Sequence, residues 1–224
     1  MTALFPFTSP AAIFFDFDGV LAESVTIKED AFRQLFQPYG TEMVEDVIKM
    51  HRASGAISRV IKIERAHREL IGKPLTESEL NEWTRRYEVT VEKDVVACPE
   101  VPGTEPLLVD QAAQAELFVV SGTPQDEMRR IVTSRGWDRF FSGVYGSPRL
   151  KDEIVLTALQ EHGLAAEDCL FVGDTFTDRD AAVATGMPFV GRLNGVRANP
   201  FPPGTTLVND MSELAGLLAE ARNG

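Results

Sequence analysis

Four apolar runs, AAIFFDFD (11–18), AELFVVS (115–121), EDCLFVGD (167–174) and MPFVGRL (187–193), lack clean two-residue alternation. That is the pattern of parallel strands covered on both faces. GVYG (143–146) and TTLVND (205–210) are weaker strand candidates. Helical patterns lie between them. PQDEMRRIVTSRG (124–136) and KDEIVLTALQEHG (151–163) each end on a glycine, a common helix stop. TDRDAAVATG (177–186) is a short third helix, and Asp210 with Glu213 resembles a capping pair ahead of the last one. Strand and helix alternate from about residue 100 to the end, which predicts an α/β protein with a doubly wound, Rossmann-like parallel sheet.

Residues 22–97 contain no convincing strand and much helical periodicity, with Ile57, Ile61, Ala66 and Leu70 near one face and Thr76 and Glu79 placed to box a helix start. The chain is therefore expected to divide into an α/β core, residues 1–21 and 98–224, and an inserted helical cap, residues 22–97, over the sheet edge. A hydrophobic content of 44% is enough for a real core. One Pro/Gly-rich loop, NGVRANPFPPG (194–204), suggests no function of its own.

A formal net charge of −12 argues against nucleic-acid partners and anionic membranes. No run of about 18 apolar residues exists to span a bilayer. The N-terminal MTALFPFTSP carries no Lys or Arg and is interrupted by prolines, unlike a signal peptide. Cys98 and Cys169 have no metal-type spacing. A cytoplasmic protein of a reducing compartment is expected.

The first run ends in acid. Asp16 and Asp18, one residue apart, would repel each other at a strand end, and burying either is costly without compensation. In an extended strand they share a side, at the carboxyl end where open α/β sheets bind ligands. A divalent cation would resolve the repulsion, and Mg²⁺ takes one or two carboxylates plus substrate phosphate. The alternative is an Asp18-Gly19 hairpin turn, which the lack of a following alternating strand weakens. FVGDTFTD (171–178) is a second such run: Asp174 could complete the oxygen shell if the strands are neighbours, while Asp178 either caps its helix or supports the site. In VVSGTP (119–124), hydroxyls and backbone N–H groups of Ser121, Gly122 and Thr123 suit phosphate oxygens or serve as a plain N-cap. Lys151 opens a helix, where the macrodipole disfavours a cation, so a partner is expected: Asp152 and Glu153, or a phosphate.

The order of these elements, D-x-D-G, then S-G-T, then Lys, then G-D-x-x-x-D, resembles the haloacid dehalogenase (HAD) superfamily, in the branch of phosphoglycolate phosphatase and β-phosphoglucomutase. DFDGVL matches its first motif, Ser121 its second, Lys151 its third and GDTFTD its fourth, and the helical insert resembles its C1-type cap. The resemblance implies a phosphomonoester hydrolase acting on a small phosphorylated metabolite, a sugar phosphate or a phosphoglycolate-like acid. Asp16 would be the nucleophile, forming an aspartyl-phosphate, and Asp18 the general acid and base. Ser121, the Gly122 N–H and Lys151 would hold the phosphate oxygens. Asp16, the Asp18 backbone carbonyl and Asp174 would hold Mg²⁺. The acid at position 18 disfavours dehalogenation. A phosphomutase keeps the same motifs, and a non-catalytic binding module need not keep them. Phosphonate hydrolysis needs a cap amine, and no cap lysine stands out.

The segment 51–73 carries six Lys/Arg against two acids, with His51 and His67. It reads as a solvated helix face. If it faces the site instead, Arg52 and Arg59 could grip a second anionic group such as a carboxylate, with Gly55 allowing a turn between their helices.

Overall fold

The computed structural model describes residues 9–54, 57–196 and 198–223. Strands β1 (Ala12–Phe15), β2 (Glu116–Pro124), β3 (Gly143–Ser147), β4 (Cys169–Gly173), β5 (Phe189–Arg192) and β6 (Thr206–Val208) form one parallel sheet in the order β3-β2-β1-β4-β5-β6. The most apolar strands are central because both of their faces are covered. Ala12 and Phe14, with Phe118, Val120 and Phe171, pack on α7 (Lys151–His162) and α8 (Phe176–Thr185). Ile13 and Phe15, with Val119, Leu170 and Val172, join a larger cluster that includes α5 (Thr104–Ala112), α6 (Gln125–Ser134) and α9 (Met211–Asn223). Both cysteines are buried free thiols. Among the described residues no helix is long and apolar enough to cross a membrane.

Between β1 and β2 come helices alone: α1 (Val25–Phe36), α2 (Thr41–Ala53), α3 (Arg59–Arg65), which continues into a π-helical turn Ala66–Ile71, and α4 (Glu77–Ala97). The Thr76–Glu79 box starts α4 as expected, Glu79 N–H donating to Thr76 Oγ1 at 3.3 Å and Thr76 N–H to Glu79 Oε2 at 2.8 Å. Phe32, Phe36, Val47, Ile48, Tyr87 and Val91 are buried among these helices and merge with the larger cluster. The two passages between helices and sheet run side by side: Glu23 N–H donates to Pro99 O and Val101 N–H to Leu21 O, each at 3.0 Å.

Local details differ from the sequence pattern. The extended strand β1 ends at Phe15 rather than reaching 18, because the Phe17 carbonyl accepts from the N–H groups of Val20, Leu21 and Ala22 and turns the chain. No Asp18-Gly19 hairpin forms, since β1 pairs on both sides with distant strands. Ser121 and Thr123 do not cap α6, whose N-cap is Pro124; they lie where β2 slips register against β3 between Val120 and Pro124. On α3 and its extension the buried stripe is Arg59, Lys62, Ile63, Ala66 and His67, with the i, i+3, i+4 spacing of one helical face, while Ile61 points outward. The stripe carrying Arg59 and Lys62 turns inward together with Ala66, and Ile57, ahead of the helix, lines the cleft.

Phe14 stacks on Phe118 with ring centroids 4.6 Å apart at the sheet centre. Phe14→Ala is expected to destabilise the protein by about 3–5 kcal/mol through lost contact and cavity formation. Urea denaturation monitored by circular dichroism measures it, and a loss below about 1 kcal/mol would contradict this packing.

Candidate active site

Asp16 is the first residue beyond β1, and its N–H donates to Val172 O of the neighbouring β4 at 2.9 Å. Because Phe15 stands opposite Val172 in parallel register, Asp16 and Asp174 leave the sheet at the same end. Carboxylate oxygens of Asp16, Asp174 and Asp178 lie within 4.8 Å of one another, all buried. Lys151 Nζ sits 2.8 Å from Asp16 Oδ1 and 2.5 Å from Asp178 Oδ1. Its partners are therefore these two carboxylates rather than Asp152 and Glu153, and they offset the unfavourable helix dipole. Asp178 caps as well as supports: its Oδ2 accepts from Thr175 N at 2.9 Å and Thr175 Oγ1 at 2.6 Å. One side chain thus both caps α8 and pairs with Lys151.

Burial pushes the Asp16 carboxyl up to about 7; Lys151 pulls it down, and Asp178 and Asp18 raise it by repulsion. Burial works to lower the Lys151 pKa, but Asp16 and Asp178 outweigh it and raise it. Three buried carboxylates against one ammonium leave an oxygen-only, net-negative pocket. That donor set suits a hard divalent cation.

Asp18 lies in the turn after β1, half-buried. Its Oδ1 accepts from Ser24 Oγ at 2.6 Å, and its Oδ2 pairs with Lys28 of α1. Lys28 Nζ also donates to Thr123 Oγ1 at 2.7 Å. Ser121 Oγ is 3.5 Å from the same Asp18 Oδ2 and accepts from Thr123 N at 3.1 Å. Burial raises the Asp18 carboxyl, yet Lys28 and Ser24 together hold it below the ordinary carboxylate range. The two acids are thus separated in the sense opposite to a nucleophile at 16 and an acid at 18. The expectation that no cap lysine stands out is corrected too: Lys28 comes from α1 and touches Asp18. Nothing local in VTIKEDAF signals this, because a lone lysine in an amphipathic helix reads as solvated.

Gly19 allows the turn that carries Asp18. Its φ is +78°, and a Cβ there would lie 2.5 Å from Asp174 Oδ2. Two further residues brace the site. Arg192, at the end of β5, donates to Gly19 O at 3.0 Å and pairs with Glu23 at 2.7 Å. Asn194, in the Pro/Gly-rich loop, donates to Asp174 Oδ2 at 2.7 Å. A basic residue closing the buried run MPFVGR was the one available hint for Arg192.

These groups open into a cleft of about 640 Å³, solvent at its mouth included, floored by Asp16, Asp18, Gly122, Thr123 and Asp174 and walled by Lys28, Phe32, His51, Arg59, Lys62 and Tyr87. Arg59 and Lys62 are only 6% and 5% exposed, so this part of segment 51–73 is not a solvated face. Arg59 nevertheless spends its charge on the protein. It is bidentate to Glu127 of α6, lies 3.5 Å from Glu88 and sits over the Tyr87 ring. Lys62 Nζ is 3.4 Å from His51 Nδ1. Arg52 is half-exposed, chelated by Glu29, and lines a neighbouring groove with Thr175, Phe176 and Val196. Gly55 lies outside the described residues.

The family model described as haloacid dehalogenase-like hydrolase matches residues 13–192, and the chain belongs to that family. The phosphoglycolate phosphatase of Xylella fastidiosa (strain Temecula1) is 26% identical over 216 residues, covering 94% of this chain and 92% of that protein. Among solved structures, a predicted phosphoglycolate phosphatase from Haemophilus somnus 129pt superposes with a TM-score of 0.72 at 20% identity, covering 96% of this chain and 99% of that one. The magnesium-bound hydrolase YfnB of Bacillus subtilis gives a TM-score of 0.71 at 16% identity, covering 94% and 99%. The chain is a phosphatase-type hydrolase of this family, resembling the phosphoglycolate phosphatases.

Lys151→Met removes the ammonium from a buried triad and is expected to destabilise the protein by about 3–5 kcal/mol at pH 7.5. The loss should shrink at pH 5.5, where Asp16, whose pKa stands near 7, takes a proton and stops repelling Asp178. Urea denaturation of both proteins at the two pH values reads the difference; a loss that grows on acidification would contradict the triad.

Proposed function

We propose that the chain is a Mg²⁺-dependent phosphomonoester hydrolase acting on a small phosphorylated metabolite through an aspartyl-phosphate. The observation that carries this reading is the convergence of Asp16, Asp18 and Asp174 with Ser121, Gly122 and Lys151 at one end of the sheet. Asp16 and Asp174, with the Asp18 backbone carbonyl, would hold the cation. When bound, it screens the repulsion between an anionic nucleophile and an anionic phosphate and lowers the pKa of Asp16. Bound there, it would favour the ionised Asp16 that attack requires.

Asp16 attacks phosphorus as a carboxylate, forming the acyl-phosphate bond as the ester P–O bond breaks. Asp18 gives a proton to the departing alkoxide, then accepts one from the water that attacks the aspartyl-phosphate, releasing inorganic phosphate and restoring Asp16. Lys151, Ser121 Oγ and the Gly122 N–H stabilise charge on the transferring oxygens. The ionised state in which Lys28 and Ser24 hold Asp18 suits the second half of this cycle. The first half requires Lys28 to withdraw.

Residues 22–97 act in this reading as a cap over the core formed by 1–21 and 98–224, and the paired passages at 21–23 and 99–101 are its hinge. The relatives support a phosphoglycolate-like acid over a sugar phosphate as substrate. The buried free thiols of Cys98 and Cys169 fit a reducing, cytoplasmic setting.

Phosphate release across a metabolite panel, with Mg²⁺ and with chelator, tests the reading; Asp16→Asn should lower the rate by about 10³-fold or more. Isomerisation of a sugar phosphate without phosphate release would instead mark a phosphomutase. Separately, Mg²⁺ affinity by calorimetry should weaken as pH falls below about 7, by up to about tenfold per pH unit, because a proton on Asp16 competes with the cation. A pH-independent affinity between pH 5.5 and 8 would remove Asp16 from the cation site.

A further inference from the structure

Building on the phosphatase reading, we propose that Lys28 determines specificity: it selects phosphoesters whose leaving group carries a carboxylate beside the ester oxygen, because that carboxylate takes the ammonium over from Asp18. Lys28 lies one turn into α1, four residues after Ser24, and both reach the Asp18 carboxylate from the helical side of the cleft. Its Nζ bridges Asp18 Oδ2 and Thr123 Oγ1, and Ser121 Oγ faces the same Oδ2. It therefore stands between the acid that must serve the leaving oxygen and the loop that must hold the phosphate. The ester oxygen of a substrate belongs at that junction. An ammonium has three donors, and the recorded bonds engage two of them.

While Lys28 occupies Oδ2, that oxygen is not available to the leaving group. Displacing a mostly buried ammonium from Asp18, the one carboxylate it pairs with among the described residues, is costly unless another anion receives it. A hydroxyl on the leaving group cannot supply that charge; a carboxylate one carbon from the ester oxygen can. The phosphate itself is served by Lys151, Ser121 and Gly122. The two arginines of the neighbouring helices are committed elsewhere, Arg59 to Glu127 and Glu88 and Arg52 to Glu29. Lys62 also lines the cleft but lies beside His51, whereas Lys28 bridges Asp18 and Thr123 and is in place to exchange an internal carboxylate for a substrate one.

The test compares 2-phosphoglycolate with 2-hydroxyethyl phosphate, the same skeleton with CH₂OH in place of the carboxylate. Wild type should prefer the acid. Lys28→Met should lower kcat/KM for the acid by about 30-fold or more and should not lower it for the alcohol, which no longer has to displace an ammonium from Asp18. Lys28→Gln, which keeps a donor for Thr123, should lose the preference in the same way. Equal losses on both substrates, or a preference that survives both substitutions, would overturn the proposal, showing a phosphate contact, a structural tether or no role. Calorimetric binding of both compounds to Asp16→Asn and to Asp16→Asn/Lys28→Met separates this from the hydrolase reading. If wild type hydrolyses neither compound but binds the acid more tightly only when Lys28 is present, the specificity role stands and the catalytic reading falls. If binding shows no such dependence, the specificity role falls whatever the turnover.

Discussion

Lys151 between Asp16 and Asp178 is the interaction on which this site depends. It stands at the head of α7, a position where an isolated cation is disfavoured, and it is stable there because the end of β1 and the first turn of α8 each bring it a carboxylate. One of those carboxylates is assigned the chemistry and the other only holds the lysine and its own helix. The arrangement exists because β1 and β4 are neighbours in parallel register, so that strand ends far apart in the chain, those of Asp16 and Asp174, emerge together. Neighbouring strands with other registers would leave the same residues as three separate surface charges.

The second organising feature is the opposition of acid and base across the cleft. At the cleft the strand ends contribute aspartates and the helical segment contributes cations, while farther out the sense reverses, with Arg130 of α6 paired to Glu92 of α4. Lys28 on Asp18 and Arg59 on Glu127 both cross from helices to sheet-borne elements. Such buried pairs add little net stability against apolar packing, but breaking one leaves a costly unpaired charge. They therefore tie the position of the helical layer to the charge state of the cleft.

The fold was readable because two-sided burial leaves a one-dimensional trace: apolar runs without alternation, separated by helices that stop on glycine. The acidic ends of those runs were readable for the same reason, since a carboxylate closing a buried strand is conspicuous. What could not be read was the direction in which charged helical residues point. Arg59 and Lys62 share the i, i+3, i+4 stripe with Ile63, Ala66 and His67, and hydropathy ranks that face below the one holding Ile57 and Ile61. The face was chosen by the acids it meets, Glu127 and Glu88 for Arg59, and those lie on other elements.

By itself the sequence determined the alternating architecture, the helical insertion after the first strand, and which aspartates, serine and lysine close the strands and open the helices, since each depends on local pattern and chain order. Only the tertiary structure decided that Asp178 and Asp16 share Lys151, that Lys28 holds the first motif's second acid while Arg52 and Arg59 pair with glutamates, and that Arg192 and Asn194 brace the turn and the far carboxylate. Charge pairing acts over a few ångströms in space and is blind to separation along the chain, so it is settled only when the elements have packed.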